Sequence, residues 1–305
     1  MKKAFIILCV LLSLGVLTSC KKQNEENKIT LGFMSSIGAV PYIYALEEGF
    51  YAESGLNVEI KIFTNANDRD AALIGKHIDA VNTDYVMFAS LLEQGYKLKA
   101  TVTTEDQFFI VANKTYKEAI TNDIKSTDGA KVGTFENGVL SYLVEKLASD
   151  NGITYELVGI PMIPARLQAL ESNEIDMAIL PDPSASKVTD GKVIWDNFSA
   201  GIYVTTLAFF EDYLNENEDL VNKFFEATNK AIKKLQTEDE ATVKEYIVKQ
   251  NLLTPEDTDL ITLPTYHELF APKKEDFELI MNWMVEKGLI AEAYKLDDVL
   301  YNWQK

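Results

Sequence analysis

The stretch Arg69-Asp70-Ala71-Ala72-Leu73, followed by Ile78-Asp79, returns as Arg166-Leu167-Gln168-Ala169-Leu170, followed by Ile175-Asp176, with the same spacing throughout. In each copy a helix packs a small-then-large pair (Ala72 and Leu73, Ala169 and Leu170), turns through polar residues and enters a strand at Ile-Asp. Working outward, ITLGF (29–33), PYIYALEEGFYAESG (41–55), NVEIKIF (57–63), DRDAALIGKH (68–77) and IDAVN (78–82) read as strand, helix, strand, helix, strand. Pro41 suits a first helical turn, where its missing N–H costs nothing, and Gly55 suits a helix stop. KVGTF (131–135), GVLSYLVEKLASDNG (138–152), TYELVGI (154–160), PARLQALESNE (164–174) and IDMAIL (175–180) repeat the order. Such alternation predicts an α/β chain whose sheets are mainly parallel and flanked by helices, and its doubling predicts two related lobes.

The first lobe is expected over 29–113 plus 205–305 and the second over 114–204, with QFFIVAN (107–113) as the last early strand of the first lobe. The chain would cross between lobes near 113–116 and 203–206, a two-strand hinge. In DLVNKFFEATNKAIKKLQ (219–236), Leu220, Val221, Phe224, Phe225, Ala227, Ala231, Ile232 and Leu235 fall at helical spacing. The remaining chain reads as helical to its end and is assigned to the first lobe.

The front of the chain carries a different signal. Lys2 and Lys3 precede an apolar run from Ala4 to Val16 that is short of the roughly 20 residues a membrane-spanning helix needs. With the small residues before Cys20, residues 1–19 read as an export signal. Leu17-Thr18-Ser19-Cys20 resembles the bacterial lipobox, which implies cleavage before Cys20 and attachment of diacylglycerol, and commonly palmitate, to the chain's new start. Lys21 to Lys28 carry no apolar side chain, so 20–28 read as a lipidated cysteine and a flexible tether. Cys9 belongs to the apolar run, so no disulfide framework or thiol nucleophile is expected. Losing Lys2 and Lys3 from 29 basic residues leaves 27 against 47 acidic ones, near −20. That charge repels nucleic acid.

In open parallel sheets ligands bind beyond the carboxyl ends of strands. The loops there offer Ser35, Ser36, Ile37, Thr64, Asn65, Asp84, Tyr85 and Glu105 from the first lobe, and Phe135, Glu136, Asn137 and Asp182 from the second. Phe63, Tyr85 and Phe135 at strand ends could stack on a flat heterocycle, worth about 0.5–1.5 kcal/mol beyond burial. A buried unpaired carboxylate is costly, so Asp84, Glu105, Glu136 and Asp182 point to a ligand that donates hydrogen bonds or carries positive charge. Arg69 and Arg166 lie on the repeat helices, where structural contacts are expected. His77 and His267 read as solvent-facing or locally bonded residues, with no nucleophile, base and orienter arrangement around them, and no carboxylate pair has the spacing or histidine company of a metal site.

These residues carry a resemblance. LGFMSSIGAVPYIYALEEGFYAESGLNVEI, GKHIDAV, SNEIDMAILPDP, GAKVGTFENGVLSYLVEKL and FFEDYLNENEDLVNKFFEATNKAI together resemble the type II solute-binding proteins of the nitrate/sulfonate/taurine and thiamine-precursor group. The resemblance implies a two-lobed type II periplasmic-binding-protein fold and a monomeric, lipid-anchored extracytoplasmic protein. It would close on a small-molecule ligand and pass it to the permease and ATPase subunits of an ABC importer, with no cofactor. The acidic loops favour a pyrimidine precursor or another amine-bearing solute over a sulfonate, nitrate or taurine. An enzyme akin to pyrimidine synthases is the rival on the same scaffold, but the cysteine-rich motif of those enzymes has no counterpart here.

Overall fold

The computed structural model describes residues 27–303. The export segment, Cys20 and nearly all of the tether lie outside the described residues. Ten strands and eight helices of eight or more residues follow in the order β1 (Lys28–Met34), α1 (Val40–Glu47), β2 (Asn57–Phe63), α2 (Ala66–Ile74), β3 (Ala80–Asp84), α3 (Tyr85–Glu93), β4 (Leu98–Thr103) and β5 (Phe108–Ala112). Then come β6 (Lys131–Thr134), α4 (Val139–Asn151), β7 (Glu156–Gly159), α5 (Ile163–Glu171), β8 (Met177–Pro181), β9 (Lys192–Asp196), β10 (Thr205–Phe210), α6 (Glu218–Leu235), α7 (Glu240–Lys249) and α8 (Lys274–Glu286).

Two five-stranded sheets form, ordered β2-β1-β3-β10-β4 and β7-β6-β8-β5-β9. The first three strands of each are parallel, and the fourth runs antiparallel to both its neighbours. Each sheet is therefore mixed, and the antiparallel member is in each case the strand that arrives from the other sheet. This corrects the placement of 107–113: β5 hydrogen-bonds to β8 and β9, so it belongs to the second sheet. Its apolar run suits either core, and the free edge of β8 decides where it pairs. The crossings accordingly fall at 104–107 and 197–204.

The repeated motif makes the same contacts twice. Asp79 Oδ2 accepts from the Thr30 backbone N–H at 2.7 Å, and Asp176 Oδ2 from that of Lys131 at 2.9 Å. The Asp79 and Asp176 amides donate back to the carbonyls of those residues. Each α2 or α5 ends in a left-handed residue, Lys76 (φ 54°) or Asn173 (φ 62°), with the following N–H returning to the helix, His77 to Ala72 and Glu174 to Ala169. Ile78 and Ile175 then lie over Gly32 and Gly133, where an added Cβ would stand 2.5 Å from the isoleucine Cδ1. Strand, helix end and turn are thus locked as one unit in both halves.

Helix α6 buries Val221, Phe224, Phe225, Ala231 and Ile232, and Phe224 stacks near Tyr42 of α1 and Tyr51. Helix α8 reaches both halves: Phe277 meets Tyr85 edge-on at 5.2 Å, and Trp283 meets Tyr142 of α4 at 5.7 Å while its Nε1 donates to Glu145 at 2.9 Å. The expectation of helix to the chain end fails between 259 and 273, which form no regular element. Pro264 and Pro272 remove the N–H groups a helix would need there. This strap instead bonds to the first sheet, with Thr103 N–H donating to the Phe270 carbonyl at 2.8 Å.

Replacing Asp79 or Asp176 by Ala strips the same backbone amide in each half. Each change is expected to cost about 0.5–1.5 kcal/mol, the net worth of one hydrogen bond, with the half-buried Asp79 bond at the upper end and the exposed Asp176 bond at the lower. Urea unfolding would read the two losses, and a large loss in one half beside none in the other would contradict their equivalence.

Candidate ligand site between the sheets

The topology fixes which ends of the sheets meet. β10 starts with Thr205 opposite Asp84, the last residue of β3, and β5 starts with Phe108 opposite Pro181, the last residue of β8. Both crossings therefore leave from the carboxyl ends of parallel strands, and those two rims flank the crossing segments. Asn197 joins the crossings: its Oδ1 accepts from Phe108 N–H at 2.7 Å, and its Nδ2 donates to the carbonyls of Asp106 at 3.2 Å and Ile202 at 3.0 Å.

At this junction the chain buries acid. Glu105, Asp106 and Asp182 are 7%, 4% and 6% exposed, and among the described residues none of them is ion-paired with a lysine or arginine. Asp106 accepts from the Ser36 hydroxyl and from Asn82 Nδ2, the latter at 2.7 Å. Gly38 packs so closely over it that an added Cβ would stand 2.5 Å from Asp106 Oδ1. Glu105 accepts from the His267 backbone N–H at 2.9 Å and lies 2.6 Å from its Nδ1, which fastens the strap to the first crossing. Asp182 Oδ1 accepts from Ser186 N–H and Oγ at 3.2 and 2.8 Å. Burial pushes the Asp182 carboxyl above the usual range against the pull of those two bonds. Tyr266, whose hydroxyl donates to the Ile37 carbonyl at 3.0 Å, has its pKa raised first by burial and then by Glu105, Asp106 and Asp182. Four elements distant in sequence converge on one negative locality.

The other candidates separate into caps, walls and core. Ser35 is half-buried, its hydroxyl donating to the Leu252 carbonyl; Ile37 is buried in the turn before α1. Thr64 is exposed, and Asn65 caps α2 by accepting from Asp68 N–H at 2.9 Å. Asp84 caps α3 through the amides of Val86 and Met87, at 3.0 and 2.9 Å, and burial raises its pKa while the neighbouring Arg69 lowers it. Tyr85 is fully buried against Phe277, which takes its ring into the core rather than to the rim. Phe135 is 46% exposed, beside the exposed Glu136, whose carboxylate folds over Gly159, and the exposed Asn137. Met162, 69% exposed, follows the adjacent strand.

Neither repeat arginine supplies a free cation. Arg166 is 1% exposed and donates to the carbonyls of Ile160, Pro161 and Ile179, and burial draws its pKa down to about 10. Arg69 pairs with Asp70 at 2.8 Å. Sequence reading places Asp106 in the 104–106 rim loop without singling it out, and passes over Asn82, which donates to Thr104 and Asp106, and Tyr42 and Tyr266, which come together only once α1 and the strap are in position. A hollow of about 510 Å³ is an open groove lined by Ser54, Leu56, Asn217 and Lys223, at the amino end of β2 and away from this junction.

A family model described as NMT1/THI5 like matches residues 37–242, more than half of the chain. No curated protein matches the chain in sequence. In structure it is similar to the periplasmic aliphatic sulphonate binding protein SsuA from Escherichia coli, at 12% identity and a TM-score of 0.71 over 90% of this chain and 92% of that one. It is similar to the periplasmic nitrate-binding protein NrtA from Synechocystis PCC 6803, at 15% identity and a TM-score of 0.62 over 81% and 74%. It is similar too to the zinc-bound ligand binding component of an ABC-type import system from Staphylococcus aureus, at 16% identity and a TM-score of 0.70 over 90% and 97%. The chain therefore has the periplasmic-binding-protein fold.

A carboxyl whose folded pKa is raised supports the fold while protonated, and that support is lost as pH rises through the folded value. For Asp182 the window opens above the ordinary aspartate value of about 3.9. Asp182→Asn, which keeps an acceptor for Ser186 without the charge, is expected to gain stability relative to the wild type between pH 4 and pH 7. Urea midpoints at the two pH values would show it, and a difference that ignores pH would count against a buried charge at this position.

Proposed function

The chain belongs to the NMT1/THI5-like family, and on that premise we propose that it is an extracytoplasmic solute-binding lipoprotein of an ABC importer. It captures a small organic solute between its two lobes and hands it to a membrane permease. One observation carries the choice of ligand: Glu105, Asp106 and Asp182 are buried where the two rims meet, and among the described residues none of them is ion-paired with a lysine or arginine. An anion there would meet three carboxylates that have hydrogen-bond donors but only His267, at Glu105, as a partner able to carry positive charge, whereas a ligand that donates hydrogen bonds or is cationic would relieve them. Phe135 and Met162, large and exposed on neighbouring loops of the second sheet, offer apolar cover for a flat body. A pyrimidine or other amine-bearing heterocycle fits both demands.

The mechanism needs no covalent chemistry. A ligand touching both rims favours the arrangement in which they are close, and a permease can read that arrangement. His267, the histidine at the site, is held by Glu105. The lobe limits follow the sheets, 27–103 with 205–303 around the first and 108–196 around the second, and Cys20 supplies the lipid anchor.

Thermal unfolding with aminopyrimidines, polyamines, taurine, alkanesulfonates and nitrate tests the ligand class. An amine present at 100 times its Kd should stabilise the protein by about 2.7 kcal/mol, and Asp106→Asn should weaken it at least tenfold. A melting shift with nitrate or sulfonates and none with amines would overturn the reading. For the anchor, Cys20→Ala should move the protein from the membrane fraction to the soluble one; unchanged fractionation would refute lipidation at that residue.

A further inference from the structure

The ties between the two lobes differ in kind. The crossings are covalent, and Asn197 binds one to the other. Helix α8 holds α4 by packing and polar contact together: Trp283, 8% exposed, meets Tyr142 at 5.7 Å, and the Glu145 carboxylate accepts from Trp283 Nε1 at 2.9 Å and Lys287 Nζ at 2.8 Å. Lys187 and Asp257 make a tie of another sort, an ion pair at 2.8 Å whose lysine is 36% and whose aspartate is 17% exposed.

That pair runs from rim to rim. Lys187 sits in the turn beyond the carboxyl end of β8, where Asp182 accepts from Ser186 N–H and Oγ, and where Ala185 N–H returns to the Pro181 carbonyl at 3.0 Å and Val188 N–H to that of Ala185 at 3.2 Å. Asp257 sits at the other rim, its N–H donating to Thr254 Oγ1 at 3.2 Å in a short turn of helix. Five residues earlier the buried Leu252 accepts at its carbonyl from the Ser35 hydroxyl, just past the end of β1. Both charges are thus carried on hydrogen-bonded turns, which lowers the ordering cost that usually cancels a surface pair. Each turn is also bonded to a candidate ligand residue, Asp182 on one side and Ser35 on the other.

Resting on the reading of the two lobes as a trap, we propose that Lys187 and Asp257 form a latch across the mouth of the cleft. The latch is made when the rims are together and broken when they part, while α8 stays on α4 and the lobes turn about that contact and the crossings. Of these ties the ion pair is the one that can be broken without exposing an apolar face, so opening starts there. A solute that engages Asp182 or Ser35 acts on the turns that carry the latch, which couples capture to closure.

Distances between spin labels test this without a ligand. With Cys9 and Cys20 replaced by Ser, one labelled pair is Thr189→Cys with Asp259→Cys, at exposed positions beside the latch; the other is Ser149→Cys with Glu286→Cys, at exposed positions beside the α8–α4 contact. Lys187→Glu should raise the long-distance fraction of the first pair by about fivefold, the factor carried by a partly exposed ion pair at the upper end of its range. It should leave the second pair unchanged, and adding Asp257→Lys should restore the wild-type distribution. Unchanged first-pair distances in Lys187→Glu, no restoration by the charge swap, or equal lengthening of both pairs would overturn the latch and leave the solute-binding reading standing. If the distances respond as expected while no solute in the thermal screen stabilises the protein, the result would count against the trap and not against the tie.

Discussion

A single buried amide, Asn197, holds together the two segments through which the chain passes between its sheets. It accepts from the first residue of β5 and donates to the carbonyls of Asp106 and Ile202, so one side chain satisfies backbone groups of both crossings. A crossing between sheets has no ladder partner of its own, and its polar groups would otherwise be orphaned where the chain is buried. Asn197 is 0% exposed, and its placement fixes where Glu105 and Asp106 stand. Two of the three buried carboxylates at the junction follow from how the crossings are tied, since the four residues 104–107 that carry the chain across include Glu105 and Asp106.

Much of the architecture is legible in the sequence because the repeat is physical as well as textual. The Ile-Asp pair after each helix is readable as a strand entry, and the structure shows why the pair recurs: the aspartate secures a neighbouring amide and the isoleucine covers a glycine. What was not legible depends on partners far along the chain. The residues of β5 read equally well as a strand of either sheet, and only the open edge of β8 distinguishes them. Tyr85 follows a strand as a binding aromatic would, yet α8, which arrives almost two hundred residues later, takes its ring into the core. The strap has no periodicity, so nothing local announces that Tyr266 and His267 meet Ile37 and Glu105.

The internal echo also explains what the two arginines do. Arg166 spends its donors on three backbone carbonyls around the ends of β7 and β8, and Arg69 is matched by its neighbour Asp70. Both stay in the scaffold of their half-repeats. With the cations kept there and the carboxylates kept at the junction, the site's polarity is set by which residues the scaffold consumes. A fold shared with sulfonate- and nitrate-binding proteins at 12% and 15% identity leaves that polarity free to change.

Two ion pairs among the described residues join the 108–196 segment to the rest of the chain, and they are unequal in setting. Lys287–Glu145 sits with the Trp283–Tyr142 contact, so α8 grips α4 through an apolar face as well as a charge. Lys187–Asp257, at 2.8 Å, stands beyond the carboxyl end of β8, with its lysine 36% and its aspartate 17% exposed. Partly exposed pairs of this kind contribute on the order of 0–1 kcal/mol. The tie between the two segments is therefore firmer on the α8 side, where Trp283 packs on Tyr142, than at Lys187 and Asp257.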